Sequence, residues 1–376
     1  AILITTKKGD PRNKDWGISV NQNLMLYTIT QIPLYQNIYG EGGNYRLVPN
    51  NNQLVGNTGA IRMGSNNNSW GAPMLGQPYL LFNGTMGRYS PEYDNISQIY
   101  QDALTNTSNI SMSKADAVSS FRLSYTYTKG NDVIENQNLM QRHNVNLNAT
   151  RKLSSALSID GRLMYTRTDM KNRTYRNLDA SSPMAAYVYL ARSAQVDAFK
   201  PWADPVTGDA INLSSFNNTE NPYWSIYENE NEDISDRLIG GVSATLTITK
   251  YLKLRTQATL DYNYKSAYQY KEKGGIKNLY GYFSDRNETN QNWNYEAMLM
   301  FNKQLAKDIS LTANLGTNYA NSNNTNNYVY VNQLLVHDKP SIANAAAVPI
   351  NTKGQNRNRR MSVYGSATIG YKNYLY

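Results

Sequence analysis

The sequence predicts an all-β fold, an antiparallel transmembrane β-barrel segment with long extracellular loops. Three observations carry that prediction. Polar and apolar residues alternate with a period of two in about ten stretches. The connectors between those stretches run alternately short and long. Charges and aromatic rings sort onto opposite phases of the alternation.

In chain order, strands are expected at Trp16–Tyr27, Asn106–Ser113, Phe121–Thr128, Val145–Thr150, Leu157–Thr166, Leu238–Ile248, Lys253–Tyr264, Asn292–Asn302, Ile309–Tyr319 and Arg360–Tyr371. The pattern is plainest in Phe121-Arg122-Leu123-Ser124-Tyr125-Thr126-Tyr127-Thr128, where odd positions are apolar and even ones polar. Val145–Thr150 and Leu157–Thr166 repeat it. Many of these stretches reach the ~9–11 residues that a tilted strand needs to cross a bilayer.

Residues 114–116, 151–154, 250–251 and 303–308 read as tight turns. The segments 28–105, 169–236, 265–290 and 320–358 read as long loops rich in Asn, Gly, Ser and Tyr, and 129–140 is of middling length. Outer-membrane barrels have this parity, with short periplasmic turns and extended outer loops. A soluble β-sandwich with Tyr on its outer face accounts for the alternation, but gives no reason for loops to sort by parity.

Charge placement follows from the same physics. A Lys or Arg on the lipid face at mid-bilayer costs roughly 2–4 kcal/mol, so charges belong on the wet phase. Arg122, Asp160, Arg162, Arg255, Asp261 and Glu296 all fall there. Tyr125, Tyr127, Tyr165, Tyr262, Tyr264, Trp293, Tyr295 and Tyr319 fall in the apolar phase, close to the ends that abut long loops, where an aromatic girdle sits.

Composition narrows the function classes. The 376 residues contain no Cys and only two His, so disulfides and thiolate metal sites are excluded. The formal charge is +9, but no Lys/Arg block of five or more occurs, which argues against nucleic acid as a partner. Mean hydropathy is −0.62 and no run reaches the ~18–20 apolar residues of a membrane helix, a test that barrels escape because half of each strand faces water.

Candidate chemistry is sparse. His143, at the top of a strand, and His337, beside Asp338 in a long loop, are the two conceivable catalytic bases, and each reads more simply as a girdle or solvated residue. Asp204-Pro205-Val206-Thr207-Gly208-Asp209 has two carboxylates but too few ligands for a calcium loop, and reads as a turn set by Pro and Gly. Gly40–Gly43 and Gly274-Gly275 precede no helical pattern, so phosphate cradles, metals and cofactors are not expected. The long loops, by contrast, gather aromatic rings among amides. Trp70, Tyr79, Trp202, Tyr223, Trp224 and Tyr227 are the candidate substrate-binding residues, since rings stack on sugar faces and amides pair with hydroxyls or with a peptide backbone. The same rings also suit a role in packing the loops together.

The opening AILITTKKG resembles the last plug strand of SusC/RagA-like TonB-dependent outer-membrane transporters. Residues 120–157 are similar to early barrel hairpins of that family, and 199–248 to a long external loop returning into a strand. The resemblance implies that 1–10 end a plug domain and that 11–376 form the N-terminal part of a plugged barrel of about 22 strands. It implies an internal fragment, since the signal peptide, the TonB-contacting segment and most of the plug are not in the sequence. A complete ten-stranded barrel acting as porin, adhesin or rim protease is the alternative. The resemblance further implies non-enzymatic, TonB-dependent import of an oligosaccharide or oligopeptide across the Gram-negative outer membrane. A SusD-like surface lipoprotein is the implied partner, and a dimer of SusCD pairs is compatible with it. The 28–105 and 169–236 loops are the expected lipoprotein contact.

Overall fold

The computed structural model describes residues 15–41, 49–55, 60–63, 69–81, 85–174, 182–188, 190–211 and 220–372. The plug-end strand expected at 1–10 lies outside them. Strand β1 (Gly17–Tyr27) is followed by four short strands, β2 (Pro49–Val55), β3 (Ala60–Met63), β4 (Gln77–Leu80) and β5 (Met86–Tyr89). Then come β6 (Ala103–Ala115), β7 (Ser119–Gly130), β8 (Leu139–Lys152) and β9 (Leu157–Lys171). Two short helices follow, α1 (Pro183–Val188) and α2 (Pro222–Tyr227). The chain continues through β10 (Glu230–Thr247), β11 (Leu252–Lys271), β12 (Tyr282–Ala306), β13 (Ile309–Val331) and β14 (Ile350–Tyr371).

Ten of these strands form one antiparallel sheet in the order β1-β6-β7-β8-β9-β10-β11-β12-β13-β14, while β2 to β5 form a separate small sheet inside the first long loop. Each large-sheet strand pairs with its neighbours in sequence, the up-and-down wiring that tight turns enforce. The turn at Asp116 shows how. Its Oδ1 accepts from the backbone N–H of Val118 (2.8 Å) and Ser119 (2.7 Å), and Ser119 Oγ donates to Oδ2 (2.8 Å), closing the β6–β7 hairpin in three residues.

The register keeps one face continuous across all ten strands. A single row of partners runs Ile18, Met112, Leu123, Leu147, Leu163, Gly240, Leu260, Trp293, Asn321, Arg359. The adjacent row on the opposite face runs Ser19, Ser111, Ser124, Asn146, Met164, Ile239, Asp261, Asn292, Ser322, Asn358. The first row begins inside the apolar band at β1 and ends beyond it at β14, the stagger of tilted strands. All six phase-predicted charges lie on the polar face, and all eight predicted girdle rings lie on the apolar face. The rings contact one another within that belt: Trp293 and Tyr295 stack at 5.8 Å, and Tyr295 and Tyr319 at 6.2 Å. No helix among the described residues is long and apolar enough to cross a membrane.

Several strands run further than the alternation predicts. β12 has 25 residues, β13 has 23 and β14 has 22, so much of 265–290 and 320–358 is strand, not loop. Much of the added length is polar on both faces, as in Asn287–Asn292 against Ser322–Asn327. A strand wet on both sides shows no apolar contrast, yet its ladder continues, so periodicity marks only the banded part of each strand.

Beyond the band, at the long-loop end, the loops build their own core. Ile99, Ile134, Tyr187, Leu190, Val196 and Phe199 form one buried cluster, which joins the β5–β6, β7–β8 and β9–β10 connectors. Tyr79, Leu81, Tyr89 and Ala198 form a second, and Tyr270, Phe283, Val331 and Leu334 a third. Helix α2 starts where Asn221 accepts the N–H of Tyr223 (2.9 Å) and Pro222 takes the first turn.

Candidate binding surface on the polar wall and outer loops

Two surfaces present groups suited to a polar oligomer. The first is the polar face of β12, β13 and β14. Asn292 and Asn294, Ser322 and Asn324, and Asn358 and Arg360 line a cleft of about 480 Å³ there. The residues recur every second position, so the amides stand in rows across three strands, and each offers both donors and an acceptor. Asn318 donates to Asn294 Oδ1 at 2.8 Å, so neighbouring amides orient one another. These residues were not among the sequence candidates. The available signal is Asn at alternate positions in 290–294 and the Asn-rich run 318–327, which straddle the ends of the strands expected at Asn292–Asn302 and Ile309–Tyr319 and the adjoining loops.

Further out on the same face the wall is charged. Asp233 holds both Arg173 (2.6 Å) and Lys265 (3.3 Å), Arg286 approaches Glu288 at 3.6 Å, and the Arg286 guanidinium lies 4.7 Å from the Tyr328 ring centre. These groups surround a second cleft of about 290 Å³.

The second surface is the loop layer, where the sequence candidates fall into two groups. Trp202 stacks on Tyr227 with ring centres 4.8 Å apart, and Tyr227 lies parallel to Tyr223 at 6.3 Å. All three rings are partly exposed, forming one stepped aromatic edge. Trp202 Nε1 donates to Glu228 at 2.6 Å, which fixes the end ring. Burial, then a hydrogen bond to Glu135, pushes the Tyr227 hydroxyl up to about 12, so it stays a neutral donor. Trp70 is 52% exposed and lies 6.1 Å from Tyr39. Trp224 and Tyr79 are buried, Tyr79 edge-on to Tyr89 at 5.6 Å, and in this structure they pack the layer. Sequence alone does not separate the groups, because irregular loops have no period from which to infer a buried side.

Three loops meet at His337. Its Nδ1 lies 3.2 Å from Glu272 Oε1, its Nε2 lies 3.8 Å from Asp209, and the turn at Gly208 packs against the ring. Asp204 Oδ1 shapes that turn by accepting the N–H of Val206 (2.8 Å) and Thr207 (3.0 Å), while Gly208 takes φ +76°, which any side chain would resist. Glu228, Glu272 and Asp338 bring carboxylate oxygens within 4.8 Å of one another. Glu272 is already bound by Tyr270 Oη and by the N–H groups of Lys273 and Asp338, and Glu228 by Trp202, so protein donors hold two of the three carboxylates. His143 sits elsewhere, on the apolar face between Tyr125, whose hydroxyl is 2.7 Å from Nδ1, and the ring of Tyr127 at 4.9 Å.

Solved structures share this architecture. A chain of the RagAB peptide transporter superposes with a TM-score of 0.65 at 14% identity, covering 98% of this chain and 42% of that one. The RagAB peptide importer in its closed-closed state gives 0.68 at 13% identity, over 97% of this chain and 41% of that one. The open-open state gives 0.62 at 14% identity, over 98% and 41%. No protein-family model and no curated protein sequence matches the chain. The chain thus spans about two fifths of the length of the solved chains it matches. At such identity the likeness is one of backbone architecture, and the chain has the fold of the SusC/RagA-like transporter barrel that its opening residues resemble.

Proposed function

We propose that this chain forms wall and outer rim of an outer-membrane, TonB-driven importer of oligomeric nutrients. The single observation that supports this most is the two-faced register that runs through all ten strands: one face apolar and girdled by rings, the other predominantly polar. A sheet so built separates lipid from a wet passage. A wide passage needs a plug, and moving a plug needs energy that the outer membrane, which has no ATP, must draw from the inner membrane. TonB supplies that link.

The cargo is a glycan or a peptide. Amide rows suit both, and the RagAB neighbours are described as peptide importers, which favours peptide. The 28–105 and 169–236 loops are the proposed seat of a SusD-like surface lipoprotein, and a dimer of two such pairs is compatible with the wall's role. No catalytic role is assigned to His143 or His337. In cells carrying the whole protein, a labelled oligopeptide mixture enters only with an intact proton-motive force. Adding a protonophore stops uptake while surface binding persists. Uptake that continues after collapse of the force contradicts TonB-driven import and favours a passive pore.

A further inference from the structure

We propose that the outward face of β14, at Arg357 and Arg359, binds the phosphate of an outer-leaflet lipid headgroup. The proposal rests on the outer-membrane reading above and names a partner that transport does not require.

Three features of the wall lead to it. The first is depth. On β14 the outward phase reads Met361, Val363, Ala367 and Ile369 in the apolar band. Arg359 and Arg357 occupy the same phase, about 7 and 14 Å further along the strand at the rise of an extended chain. They stand where headgroups begin, directly past the girdle residue Tyr319, which pairs with Met361.

The second is the lack of a carboxylate on the β12–β13 side of these arginines. Neither β13 nor β14 contains an Asp or Glu. On the neighbouring strand the nearest outward carboxylate is Asp285, which pairs with Val329, six residues beyond Asn323, or about 20 Å along the strand. Among the described residues neither arginine is placed in an ion pair. Arg357 meets the amide oxygen of Asn323, at 3.4 Å, and the side-chain amide of Gln355. Arg167, on the same face of β9, is by contrast paired with both Asp169 and Asp236 at 3.3 Å.

The third is donor geometry. Arg357 and Arg359 pair across to Asn323 and Asn321, so two guanidinium forks and two amides share one exposed patch. Planar forks match the oxygens of a phosphate in pairs, and a basic patch at the membrane surface gains from an anionic lipid.

The test uses the whole protein extracted from its native outer membrane in mild detergent, with bound lipid counted by native mass spectrometry. Wild type is expected to retain bisphosphorylated lipid A over its dephosphorylated form. The variant Arg357→Gln/Arg359→Gln loses that preference, with retention down on the order of tenfold. Arg357→Lys/Arg359→Lys keeps the charge and restores most of it, which separates lost charge from lost folding. Excess inorganic phosphate leaves wild-type retention unchanged if the lipid is the source, and strips it if the site takes free phosphate, which overturns the lipid assignment. A glutamine variant with unchanged preference overturns the lipid site and leaves the outer-membrane reading standing. A wild-type protein that fractionates away from the outer membrane overturns both.

Discussion

Glu228 joins packing to chemistry at the residue scale. Burial is the largest influence on it, and it holds the carboxyl above its ordinary range. The Trp202 hydrogen bond pulls the other way, Asp338 and Glu272 push it up, and His337 lowers it. With the folded value raised, folding favours the protonated form. The loop layer is therefore tightest below the ordinary carboxylate range and loosens as pH rises through the shifted value. Glu228→Gln keeps an acceptor for Trp202 and removes the charge. The expected result is slower amide exchange at 202–211 and 222–228 at neutral pH, with the pH dependence abolished; unchanged exchange contradicts the assignment. The sequence showed that rings and amides gather in these loops. It did not show that Trp224 and Tyr79 are buried while Trp202, Tyr223 and Tyr227 form an edge, because that partition depends on contacts between distant segments such as Tyr79 with Ala198.

Individual strands carry the membrane reading. Leu315 and Asn314 are sequence neighbours on opposite faces of β13, Leu315 beside Leu299 and Asn314 beside Met300. An arginine at 315 must enter the lipid band, costing roughly 2–4 kcal/mol, whereas at 314 it meets the wet face at little cost. Urea unfolding of the whole protein in lipid vesicles should show that difference, and equal costs at the two sites contradict the register. Gly316 illustrates a finer constraint on the same strand. It pairs with Tyr364, whose ring covers the glycine so closely that a Cβ would collide with it. Strand existence and facing were legible for every one of the ten, because in the band each residue meets either lipid or water. Strand length was not, since β12, β13 and β14 continue where both faces are wet. The short strands β2 to β5 and both helices also escaped, lacking a periodic run long enough to register.

For the whole molecule, ten strands in sequential order account for about two fifths of the solved transporter chains that share the fold. The parity of the connectors places tight turns at one end and the packed loop layer at the other. The polar face then offers a graded path: paired charges at the outer rim around Asp233, and amide rows below, around Asn292 and Asn358. The absence of Cys makes the central claim directly measurable in this part of the protein. Cysteines are introduced singly at each position from 311 to 320 except Gly316 and probed in native outer membranes. A water-soluble maleimide reports access to water, and a bilayer-confined quencher reports contact with lipid through a label at the same site. The structure predicts strict alternation: lipid contact at 311, 313, 315, 317 and 319, and water access at 312, 314, 318 and 320. Water access at both phases, with no lipid contact anywhere along the strand, would contradict the membrane wall and leave a soluble sheet.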